Sequence, residues 1–210
     1  MHLTSKLPLL FLAGCAAPTA VGAQPGLSPE ARDRLQTELP APEVEAFEAL
    51  TTTQVIGHFD VPSTFVRDWF LALPLSVALP GTEDIPGVAR TELLSPTWGG
   101  PGARRRVVLN DGGSALEQIL LSELPDRFKY VVWNYDTSAA AYVRYGVGEF
   151  RFLDRGGETE VAWTYGFAPR GWPASWLLGS FVRGEYRHFM EVGMEAMAAA
   201  AARAYRDQPQ

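Results

Sequence analysis

The C-terminal end restricts this chain more than any other part of it. From Pro173 onward a helical pattern continues for roughly 30 residues, long enough at ~1.5 Å per residue to cross a whole sheet. Leu178, Val182, Tyr186, Phe189, Met190, Val192, Met194 and Met197 form one apolar stripe, and Arg183, Glu185, Arg187, Glu191, Glu195 and Arg203 lie largely off it. Pro173 suits the first turn, and the alanine run 198–202 is strongly helical by propensity. So long a stripe needs a partner surface of matching length.

The preceding sequence supplies one. Thr52 to Asp60 reads as a strand, with Thr53, Val55, Ile56 and Phe59 as its alternating or β-branched residues. Val61-Pro62-Ser63 stops it, and Ser63 is placed to cap a helix carrying Phe65, Val66, Trp69 and Phe70. Pro74 and Pro80 break up the next stretch into a second short helix or loop. Six more strand-like segments come next: 88–95, 103–110, 116–124, 128–135, 142–153 and 159–168. Turn signals separate them, Asp111-Gly112-Gly113 and Arg155-Gly156-Gly157 being the clearest. Gly146 and Gly148 read as possible bulges. The last strand alternates cleanly, with Val161, Trp163, Tyr165 and Phe167 on one face. The expected fold is therefore α+β: a curved antiparallel sheet of about seven strands around a long C-terminal helix, with two short helices after the first strand.

The first 50 residues are of another kind. Tryptophan, tyrosine and phenylalanine fall almost entirely after residue 46. Lys6 and the apolar stretch Leu7–Gly14 read as a secretion signal of residues 1–14. Leu12-Ala13-Gly14-Cys15 resembles the lipobox of bacterial lipoproteins, which implies that Cys15 is the lipidated first residue of the mature chain. The rival is cleavage after Val21-Gly22-Ala23, which releases a soluble protein. Residues 15–51 are expected to hold the lipidation site and a linker with short helices near 28–38 and 43–50, and residues 52–206 the folded domain. The expected location is the cell envelope, facing the periplasm or exterior. Cys15 is the sole cysteine, so the domain has neither a disulfide nor a thiol nucleophile. The net charge of −6 disfavours nucleic acid as a partner.

The domain resembles the START-like, helix-grip superfamily, also called SRPBCC, which includes lipid-transfer domains, plant pollen-allergen proteins and polyketide cyclases. The resemblance covers residues 52 to 205. It rests on Phe59-Asp60-Val61-Pro62, on Gly102 followed by Arg105-Arg106, on Asp111-Gly112 followed by Glu117, and on Thr159, Val161 and Trp163 before the last helix. It implies an apolar cavity between sheet and helix.

Few residues here carry recognisable chemistry. His58 and His188 are the only histidines of the domain, and no HxH or HExxH spacing exists, so neither metal nor cofactor is expected. If the Asp111-Gly112 turn pairs Asn110 with Ala115, Arg106 lies diagonal to Glu117 on one face. That pair either orients a ligand inside the pocket or forms a surface ion pair on the outer face. Trp163, Tyr165 and Phe167, with Phe189, Met190 and Met194 of the helix, line the expected cavity or fill it as core. Tyr130, Tyr142 and Arg144 are further candidates. The expected function is envelope-tethered binding or transfer of a hydrophobic or amphipathic small molecule. The alternatives are a cyclase- or dehydrase-type enzyme and a structural envelope protein with a filled core.

Overall fold

The computed structural model describes Arg34, residues 37–172 and residues 174–208. The expected signal, Cys15 and most of the helix expected near 28–38 lie outside the described residues. Seven strands are laid down in chain order: β1 (Thr51–Phe59), β2 (Val88–Leu93), β3 (Arg104–Leu109), β4 (Ser114–Glu123), β5 (Arg127–Trp133), β6 (Val143–Asp154) and β7 (Thr159–Pro169). Helices α1 (Ser63–Trp69) and α2 (Leu75–Ala78) come after β1, and α3 (Ala174–Arg183) and α4 (Glu185–Arg206) after β7. The sheet order is β1-β7-β6-β5-β4-β3-β2, antiparallel at every step. The expected helix-grip fold is present, and every expected strand forms within two residues of its expected ends.

The inner face of the sheet is built from the alternate residues that the sequence pattern selects. Val161, Trp163, Tyr165 and Phe167 of β7, Phe150 and Phe152 of β6, Phe128 and Tyr130 of β5 and Ile119 of β4 form one core with Met190, Met194 and Met197 of α4. Trp163 stacks on Phe150 with centroids 5.0 Å apart, and Phe70 packs edge-on against Phe128, Phe150 and Phe152. Burying such rings is the main favourable contribution to a domain of this size.

Four expectations need correction. The expected single C-terminal helix is divided at Gly184, whose ψ of −96 lies outside the helical region. Gly184 N donates to Ser180 O and His188 N to Gly184 O, both at 3.0 Å, and these two bonds join the helices across the break. Ser63 does not cap α1; its hydroxyl donates to Asp154 at 2.7 Å and ties the start of the helix to the end of β6. Gly146 and Gly148 are not bulges, since β5 and β6 pair in continuous register past both. Residues 41–50 are not a free linker. Ala41, Val44, Phe47 and Leu50 pack on the outer face of the sheet against a second apolar cluster that includes Leu116, Val131, Trp133, Tyr145 and Val147. Of the helix expected over 43–50, only a 3-10 turn at Phe47–Ala49 forms. The cause is burial: the three-residue spacing of these side chains serves to cover a sheet face that would otherwise expose Trp133 and Tyr145. The Glu45 amide donates to the Tyr145 hydroxyl at 3.0 Å, which holds the segment in place.

Candidate functional site

The centre of the grip is polar. It is organised by the β3–β4 hairpin, whose loop is one residue shorter than the sequence pattern suggests. Leu109 N donates to Gly113 O at 2.8 Å across Asn110, Asp111 and Gly112, and Gly112 takes a φ of +89. A three-residue hairpin loop needs a left-handed residue at this place, and glycine supplies it without steric cost. The resulting register sets Arg105 opposite Glu117 and Arg106 opposite Leu116. The shift is by an odd number of residues, so it exchanges faces. Arg106 therefore points outward, where it reaches Glu92 of β2 at 3.4 Å. It is Arg105 that meets Glu117 on the inner face.

The Arg105–Glu117 pair is buried, with only 8% and 3% of the two residues exposed. Arg105 Nε donates to a Glu117 carboxylate oxygen at 2.5 Å, and the indole of Trp98 covers the guanidinium at 3.9 Å. This arrangement satisfies both charges where water is nearly absent. Burying two charges still costs several kcal/mol per ion, which a pair recovers only with close geometry.

Four tyrosines share this interior, and three of them, Tyr130, Tyr135 and Tyr186, feel the Glu117 charge. The Tyr130 hydroxyl accepts from Trp163 Nε1 at 3.2 Å. Tyr165 packs against Tyr130 and Tyr186 with centroids 6.1 and 5.0 Å away. Burial raises the pKa of all four, Tyr130, Tyr135, Tyr165 and Tyr186, and the nearby Glu117 charge adds to this at Tyr130, Tyr135 and Tyr186. The Tyr135 hydroxyl is buried near Tyr165 and the Gly146 backbone, yet makes no hydrogen bond of good geometry. Gly146 and Gly148 make this crowding possible, because a Cβ on either would collide with the Tyr165 or Tyr130 ring.

Beside the ion pair lies a cavity of about 40 Å³, walled by Leu71, Leu73, Leu75, Trp98, Arg105 and Met197 among others. In this state it has room for a water or two. The side chains expected either to line a cavity or to fill the core lie apart from this opening. Trp163, Tyr165, Phe167, Phe189, Met190 and Met194 are all buried in the packed interior of the grip, and none borders this opening. Tyr142 is exposed, and Arg144 sits on the outer side against Glu45 and the Tyr145 ring. Both lie away from the site. His58 and His188 are not buried. Among the described residues no three His, Cys, Asp or Glu side chains gather as a metal site requires.

Sequence reasoning reaches Glu117 and Tyr165 but not Arg105, Trp98, Tyr135 or the role of Tyr186. The available signal is Gly112: placing it at the left-handed position of a three-residue loop gives the observed pairing directly. Trp98 comes from a loop, which carries no periodicity to read, and Tyr135 lies just past the end of β5, although the expected strand 128–135 includes it.

No family model matches the chain, and no curated protein matches it. Solved structures do. Zhui aromatase/cyclase from Streptomyces sp. R1128 superposes with a TM-score of 0.57 at 16% identity, covering 74% of this chain and 96% of that one. Ara h 8.0201 gives 0.55 at 15% identity, covering 71% and 96%. A protein of Thermus thermophilus gives 0.54 at 17% identity, covering 73% and 98%. This chain has the helix-grip fold that these proteins share.

Proposed function

We propose that the domain binds a hydrophobic or amphipathic small molecule between its sheet and C-terminal helix, with the polar part of the ligand at the Arg105–Glu117 pair. The observation that carries this reading is a paired charge and four tyrosine hydroxyls within an aromatic interior, one of the hydroxyls without a hydrogen bond of good geometry. An interior built for stability alone gains little from such groups, because an apolar replacement of equal volume is often as stable or more so. The fold adds support: one solved neighbour is an aromatase/cyclase. The cavity beside Trp98 is the natural entrance, and the ligand displaces Trp98 and the α1–α2 segment to enlarge it. Cys15 is the lipid anchor that holds the domain at the cell envelope.

The test is native mass spectrometry of the protein purified from its own host, paired with uptake of an apolar fluorescent probe. A co-purifying apolar molecule, and probe uptake weakened by Trp98→Ala or Tyr165→Ala in a still-folded variant, are the expected results. Absence of any bound molecule, together with a wild type that takes up no probe, refutes the reading. The small cavity volume favours a second reading in that event: a structural envelope domain with a filled core. For the anchor, Cys15→Ser is expected to move the protein from the membrane to the soluble fraction, and unchanged fractionation refutes it.

A further inference from the structure

Trp172 and Trp176 are 87% and 75% exposed, by far the most exposed aromatic rings among the described residues, and Leu177 beside them is 47% exposed. They share one place. Ser175 N donates to Gly171 O at 3.0 Å, so Trp172 stands in the turn that opens α3, and Trp176 and Leu177 come next on its outward face. The opposite face of α3 is spent on the core through Leu178 and Val182. Arg170 N donates to Tyr142 O at 2.9 Å, which brings the exposed Tyr142 to the same end of the sheet.

The segment that carries this patch is one-sided in charge. Residues 161–184 contain Arg170 and Arg183 and no acidic residue, in a chain whose net charge is −6. The Arg183 guanidinium folds back over Gly179 of α3 and so stays beside the exposed face. Two exposed indoles, a leucine and a tyrosine ring flanked by arginines have the chemistry of a lipid–water interface. Indoles settle at headgroup depth, and arginine is drawn to anionic headgroups. A second copy of the chain fits less well, because a symmetric contact would set Arg170 and Arg183 against the same arginines of the other copy. We infer that Trp172, Trp176 and Leu177 form a membrane-docking face that seats the α3 end of the domain on a bilayer containing anionic lipid. This inference stands on exposure and charge and does not require the interior to hold a ligand. The N-terminal segment passes the same end of the sheet: Glu45 pairs with Arg144 at 3.2 Å, and Arg144 Nε donates to Pro169 O at 3.2 Å. A tethered domain docked this way turns the Tyr186 end of its grip towards the membrane, since Phe181 of α3 packs on Tyr186 with centroids 6.0 Å apart.

The experiment uses the full chain carrying Cys15→Ser, so that no acyl anchor contributes, and vesicles of phosphatidylcholine with a minor share of phosphatidylglycerol. The parent is expected to sediment with the vesicles, its tryptophan emission shifting to the blue and being quenched by bromine-labelled acyl chains. Trp172→Ala with Trp176→Ala is expected to lower the vesicle partition coefficient at least ~10-fold and to abolish the quenching, with the thermal unfolding midpoint unchanged because both rings are exposed. Equal partitioning of parent and double variant overturns the inference. So does a parent that shows no quenching, a readout that needs no variant to fold. A parent that ignores vesicles but dimerises, with the dimer dissolved by the double substitution, overturns it in favour of self-association.

Discussion

Glu117 and Glu149 are both almost fully buried, on opposite faces of one sheet, and they are satisfied in opposite ways. Glu117 faces inward and has one arginine, capped by an indole. Glu149 faces outward and is held by Arg127 at 3.1 Å and Arg151 at 2.7 Å, with Lys129 at 4.0 Å. Those outer cations keep 39%, 66% and 21% of their side chains in solvent, so the outer site is an ordinary surface cluster that has closed over its carboxylate. The inner pair keeps only 10% and 4% of its side chains in solvent. The same residue type thus serves as part of a cover on one face and as a costly polar insertion on the other, and only the insertion calls for a functional reason.

The largest expected difference between the faces appears in alkali. The four inner tyrosines have pKa values raised by burial, so they stay neutral in the folded protein while the unfolded chain ionises near pH 10. Stability is then full below about pH 10 and falls as pH rises, at pH 11 by roughly 1.4 kcal/mol for each tyrosine. Phenolate absorbance followed against circular dichroism checks this. Four tyrosines that ionise only as the fold is lost support a sealed inner face, and early ionisation in a folded protein breaks the comparison.

Removing the inner cation comes next. Arg105→Met leaves Glu117 buried without its partner, and is expected to cost about 3–5 kcal/mol in denaturant unfolding. Adding Glu117→Leu is expected to restore most of that loss, since the pair's worth lies in mutual compensation. If the double variant is no better than the single one, the pair contributes net stability, and stability alone then accounts for its presence.

The outer carboxylate is expected to matter less. Burial pushes the Glu149 pKa up, but its bonds to Arg127 and Arg151 outweigh this and hold it below the usual glutamate range. A depressed folded pKa contributes stability above the unfolded value near 4.3, and loses it as pH falls through the folded one. Glu149→Gln is therefore expected to cost about 1 kcal/mol or less at neutral pH, given partners that reach solvent, with the difference from wild type vanishing in acid. The smallest effect is expected from Tyr135→Phe. It removes a hydroxyl that makes no hydrogen bond of good geometry, so stability should change by no more than ~0.5 kcal/mol or rise slightly. A loss of ligand or probe uptake in that stable variant would mark the hydroxyl as a contact for the ligand.

Much of this molecule is legible from its residues alone. Strand-length alternation in 159–168, turn signals between the strands and the apolar stripe of 178–197 are local periodicities, and local periodicity is what sequence displays directly. They determine the strand count, the covering helix and which face of β7 looks inward. The segment 41–50 reads as linker because a short stretch of alanine and glutamate after Pro40 and Pro42 looks alike whether it is free or laid on a sheet. Its role depends on Trp133 and Tyr145, far along the chain.

What the tertiary structure decided is pairing. The choice of Arg105 over Arg106 as the partner of Glu117 follows from one left-handed glycine, because a register shift by an odd number of residues turns every side chain of a strand to the other face. The meeting of Tyr130, Tyr135, Tyr165 and Tyr186 needs distant parts of the chain to converge over two glycines of β6. Sequence by itself determined that this chain would close a sheet on a helix, since burying apolar area is a sum over residues that composition and period already contain. Where a charge could be kept inside was decided only by the fold, because hydrogen bonds act over about 3 Å and depend on neighbours that the chain order does not name.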